Sequence, residues 1–92
     1  MNTAVHPNPT YPRVYRQCRW IRIVEPAAPM TKTRRFDVQT KQGGLLGWIR
    51  WYPTFRKYSF LPCEGTVYET DCLHDIAATL DRLNEEHKAG GV

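Results

Sequence analysis

No apolar run in this chain approaches the roughly 20 residues needed to span a bilayer, so no membrane helix is expected. The opening MNTAVHPNPTYPRVYR lacks the basic-then-apolar pattern of a secretion signal, which points to an intracellular protein. Cysteine is sparse and odd in number: Cys18, Cys63 and Cys72. That count speaks against a disulfide framework, and each thiol is read as reduced packing. Carboxylates are scarce early in the chain. Residues 1–63 hold 11 Lys/Arg against 2 Asp/Glu, whereas residues 64–92 hold 2 against 7. A basic part followed by an acidic part predicts a surface with two signs. The basic part would attract nucleic acid or another polyanion.

Signatures of catalysis are also missing. There is no nucleophile-elbow glycine pattern and no His-Glu-x-x-His helix. Gly43, Gly44 and Gly47 form a turn that enters a strand, not a loop that opens a helix onto phosphate. Cys63, Cys72 and His74 fall short of the four closely paired ligands of structural zinc. Nothing orients His74 as a base for a Cys nucleophile. No enzyme activity, cofactor or metal is expected.

The chain is organised around Leu45–Pro62, LLGWIRWYPTFRKYSFLP. It reads as two strands joined at Tyr52-Pro53-Thr54. Alternation places Ile49 and Trp51 on one face, and Trp48, Arg50 and Tyr52 on the other. Aromatic and β-branched residues suit such a surface. The second face sets cations beside aromatic rings, which a purely structural face rarely needs. Solubilising charge with cross-strand aromatic packing is the plain alternative.

Two further strands precede these. Cys18–Glu25 alternates, with Arg19, Ile21 and Ile23 opposite Trp20, Arg22 and Val24, and ends at Pro26 and Pro29. Arg34–Thr40 points Phe36 and Val38 inward and Arg35, Asp37 and Gln39 outward. Lys41–Gly44 is a hairpin turn. Residues 1–17, punctuated by Pro7, Pro9 and Pro12, predict an extended arm that docks through Tyr11, Val14 and Tyr15 or frays. A helix starts at Asp71 as N-cap, carries the stripe Leu73, Ile76, Ala77, Leu80 and Leu83, and stops at Gly90 and Gly91. The expected fold is α+β, with the arm over 1–17 and a single domain over 18–92. The domain is a four-stranded antiparallel meander with the C-terminal helix on one face, β-β-β-β-α.

That geometry leaves the other sheet face open, with Trp20, Arg22, Arg35, Trp48, Arg50, Tyr52, Lys57 and Ser59 on it. Rings between cations fit single-stranded RNA or DNA, bases stacking while Arg and Lys meet phosphates. Trp48, Arg50 and Tyr52 are the sharpest set. Arg, Trp and Tyr also dominate protein interfaces, so a protein partner stays open.

From Gly47 to Asn84 the chain resembles a group of small phage and mobile-element proteins. The group carries a Gly-x-Ile-x-Trp-Tyr segment, matched by Gly47, Ile49, Trp51 and Tyr52. An aromatic-Arg-x-Tyr-x-Phe-x-Pro segment follows, matched by Phe55, Arg56, Tyr58, Phe60 and Pro62, with Phe55 where Trp is usual. Thr66, Val67, Cys72, Leu73, Asp75 and Ile76 match a Thr-Val and a Cys-Leu-x-Asp-Ile helix start. In size and element order the chain is also similar to the small phage anti-CRISPR proteins of the type I-F class. This resemblance implies a non-enzymatic inhibitor in the cytoplasm of a bacterial host. Such an inhibitor binds Cas subunits and guide RNA of the surveillance complex and blocks hybridisation of target DNA. The residues expected to contact phosphate or acidic protein are Arg22, Arg34, Arg35, Arg50, Arg56 and Lys57, with apolar contact from Trp48 and Tyr52. The alternative is a stand-alone binder of single-stranded nucleic acid.

Overall fold

The computed structural model describes residues 12–27 and 33–90. Expectations for Pro7, Pro9, Tyr11, Pro29 and Gly91 lie outside the described residues. Five strands are followed by one helix: β1 (Arg13–Gln17), β2 (Ile21–Glu25), β3 (Arg35–Thr40), β4 (Leu45–Tyr52), β5 (Lys57–Pro62) and α1 (Thr70–Lys88). The strands form one open antiparallel sheet in sequence order. The fold is therefore α+β, as expected, but with five strands rather than four. The additional strand is the end of the stretch read as an arm. A register shift between Val14 and Arg16 breaks the alternation that would have marked it. The strand expected from Cys18 begins later, because Cys18 N–H donates to the Ile21 carbonyl and closes a hairpin over Arg19 and Trp20.

Each later turn has a local cause. Between β3 and β4, Gly43 adopts φ 101°, and its N–H donates to the Thr40 carbonyl. Between β4 and β5, Arg56 takes φ 55°, and its N–H donates to the Tyr52 carbonyl. Gly47 is required for closeness, not for φ. A Cβ there would lie 2.5 Å from the Leu61 carbonyl oxygen and 2.9 Å from the Pro62 Cα.

The helix covers the face formed by Ile21, Ile23, Phe36, Val38, Ile49 and Tyr58, all fully buried or nearly so. It buries Cys72, Ile76, Thr79 and Leu83 against them. This stripe is rotated from the expected one, so Leu73 and Ala77 are exposed. Thr79 takes the missing core position because its hydroxyl is satisfied. It donates to the Asp75 carbonyl at 2.8 Å and accepts from Arg16 at 2.9 Å. The N-cap is Glu69, not Asp71; its carboxylate accepts from the Cys72 N–H at 2.7 Å. Asp71 sits in the first turn instead, where the helix dipole favours it. The helix also reaches the sheet edge: the Asn84 amide oxygen accepts from the Tyr58 backbone N–H at 2.7 Å.

Candidate nucleic-acid interface

The side chains opposite the helix are ordered by the pairing registers. One row crosses all five strands as Val14, Val24, Asp37, Trp48 and Leu61. On one side of it lie Gln17, Arg22, Gln39 and Leu45. On the other lie Arg35, Arg50 and Ser59, then Tyr52 and Lys57. Adjacent rows are about 7 Å apart along the strands. Five expected contact residues, Arg22, Arg35, Trp48, Arg50 and Tyr52, thus share one uncovered face; Lys57 is in register with them but lines a groove with Asp81 and Glu85 of the helix.

The face is neither uniformly basic nor flat. Arg35 and Arg50 stand directly opposite each other. Trp48 is 42% exposed. These residues, with Pro26, Asp37 and Leu61, line a concavity of about 530 Å³. Arg22 is steadied by a 3.0 Å hydrogen bond from its Nε to Gln39. Tyr52 packs on Phe55, ring centroids 5.2 Å apart, at the far end of the face. Burial raises the Asp37 carboxyl above its ordinary value, and the Arg35 charge opposes this without cancelling it.

Two expected contact residues and one expected neighbour lie elsewhere. Arg34 turns to the helix side. Its guanidinium is 9% exposed and bonds both Glu25 oxygens at 3.0 and 3.1 Å, with Glu86 at 3.4 Å. Arg13 joins Glu25 at 2.9 Å, and Tyr15 and Phe36 lie beneath the Arg34 guanidinium. Arg34 is therefore committed to holding β2, β3 and α1 together. Arg56 sits in the β4–β5 turn beside Trp51, Glu85 and His87. Trp20 is not on the sheet face but at the tip of the first hairpin, with Arg19 over its ring at 4.9 Å.

Asp37 and Leu61 also belong to the site, although neither stands out in the sequence as a contact residue. Leu61 does carry a signal, since an apolar residue stands where the alternation with Tyr58 and Phe60 calls for a polar one. Cys72 is buried and His74 exposed. Burial pushes the Cys72 thiol up, away from the thiolate that a nucleophile or a zinc ligand needs. Among the described residues no three His, Cys, Asp or Glu side chains gather as metal ligands, and no helix is long and apolar enough to cross a membrane.

Comparison with known proteins gives one relative of note. The chain is 31% identical over 70 residues to an uncharacterized 9.3 kDa protein of Acholeplasma phage L2, a match that covers 75% of this chain and 90% of the phage protein. No family profile matches the chain. No solved structure matches it.

Proposed function

The chain belongs to the family of the Acholeplasma phage L2 protein, and from that premise we propose that it is a non-catalytic phage protein that binds single-stranded nucleic acid through its open sheet face. One observation carries the reading. Arg35 and Arg50 are held opposite each other, beside an exposed indole, on a face the helix does not cover. Like charges directly opposed across strands cost stability. An anionic ligand turns that cost into binding, while Trp48 offers a stacking plane. The test is fluorescence anisotropy of a labelled oligonucleotide over a salt series. Binding that weakens with salt and is lost in R35Q/R50Q supports the reading. No binding at low salt, or binding indifferent to that pair, overturns it.

A narrower second reading is favoured by the two-signed surface. The helix exposes Asp71, Asp81 and Glu85 on the side opposite Arg22, Arg35 and Arg50, with Asp81 and Glu85 sharing a groove with Arg56 and Lys57. A protein wedged into a ribonucleoprotein has use for both: arginines for guide RNA, carboxylates for basic protein subunits. This is the type I-F anti-CRISPR reading, with a Cas surveillance complex in the host cytoplasm as target. It predicts tight binding to the assembled complex, weak binding to free RNA, and loss of target DNA hybridisation. Tight binding to free RNA and none to the complex would sink it.

A further inference from the structure

Asp37 is an odd residue to place at the centre of an anion-binding face. It sits in the middle strand, between Val24 and Trp48 in register. It is half-buried, and burial has raised its carboxyl. Among the described residues its carboxylate accepts no hydrogen bond and forms no ion pair; the charge of Arg35 is the one influence opposing its desolvation. The Asp37 oxygens are not sealed from solvent, so their acceptor positions are open to a ligand. Here the carboxylate lines the same concavity as Trp48, Arg35 and Arg50.

We propose that this concavity is a guanine pocket: the guanine ring stacks on Trp48, its Watson–Crick edge donates to Asp37, and its phosphates meet Arg35 and Arg50. The inference rests on the nucleic-acid reading above and adds a base preference to it. A carboxylate has two acceptor oxygens and no donor. Guanine alone among the bases presents two adjacent N–H donors, N1–H and the N2 amine, to match them. Uracil offers one, and adenine and cytosine offer one amine beside an acceptor nitrogen that the carboxylate repels. A cationic ligand fits less well, because Arg35 acts on the carboxylate and Arg50 lines the same concavity, and both would repel it. A concavity of about 530 Å³ lies within the range that small-molecule sites occupy. Leu61 and Pro26 supply its apolar walls.

The probes are a nine-residue oligouridylate, the same chain with one central guanosine, and the same with inosine there, which lacks the N2 amine. The guanosine probe should bind roughly tenfold more tightly than the all-uridine probe, the size of one good bidentate contact. Inosine should fall between them. Asp37→Asn should bring all three to one affinity, with the uridine probe bound no more weakly than by wild type. R35Q/R50Q should weaken all three by a common factor. Equal binding of the probes by wild type, or a guanosine preference that survives Asp37→Asn, overturns the pocket and leaves the parent reading standing. Failure of every probe to bind overturns both.

Discussion

Arg35 and Arg50 lie directly opposite each other across β3 and β4, on the face that α1 leaves uncovered. Like charges so placed cost the fold stability, and under the proposed reading they serve an anionic ligand. Replacing both with Gln should flatten the salt dependence of oligonucleotide binding by roughly 0.7 for each phosphate that is no longer neutralised. Thermal stability should hold or rise, by up to about 1 kcal/mol, because a cross-strand repulsion is removed. Salt-titrated anisotropy and a thermal melt on the same sample read both effects.

Trp48 and Trp51 are three residues apart but face opposite ways. Trp51 stacks on His87 at 4.2 Å and meets the edge of Tyr58 at 5.6 Å, beneath the helix. Trp48→Ala should leave the melting temperature nearly unchanged and cost about 1–3 kcal/mol of binding through lost stacking. Trp51→Ala should do the reverse and lower stability by about 3 kcal/mol. Urea unfolding and oligonucleotide titration of both variants separate the roles.

Gly47 marks the tightest approach of β4 to β5. A methyl group there meets the Leu61 carbonyl and the Pro62 backbone, neither of which can swing aside. Gly47→Ala should destabilise by about 1–3 kcal/mol or more, in the manner of overpacking. The loss should appear as faster amide hydrogen exchange in β5 before global unfolding.

Glu25 is 4% exposed and clasped by Arg34 and Arg13. Desolvation pushes its carboxyl up, but the hydrogen bonds from Arg34 and Arg13 outweigh this and hold it below its ordinary value of 4.5. A carboxyl depressed in the folded state contributes stability that is complete above its unfolded pKa and is lost as pH falls through its folded one. Wild type should therefore lose stability below about pH 4.5. Glu25→Gln should lack that part of the acid transition and be weaker at neutral pH by up to about 3 kcal/mol, since the buried Arg34 keeps only its longer contact to Glu86. Chemical denaturation between pH 3 and pH 7 tests both statements.

The faces of β2 to β5 were legible because Ile and aromatic residues alternate with charge, and that period assigns sides without knowledge of contacts. β1 was hidden twice, by the prolines before it and by the irregularity between Val14 and Arg16. The buried side of α1 was misplaced by Thr79. A hydroxyl reads as surface until Arg16 and the Asp75 carbonyl are seen around it. Arg34 could not be told from its neighbour Arg35, since its main partners lie 9 and 52 residues away in the chain. The concavity was invisible for a similar reason. Asp37 is an ordinary outward residue in sequence, and only pairing brings it beside Trp48.

An open sheet exposes its flanks to other molecules, and bare strand borders recruit foreign strands into aggregates. On the β5 flank the Tyr58 amide is already taken by Asn84, and Pro62 has none to give. That border offers an incoming strand few handholds. Asn84→Ala should reopen the Tyr58 amide to a foreign strand, seen as turbidity that grows on storage faster than for wild type.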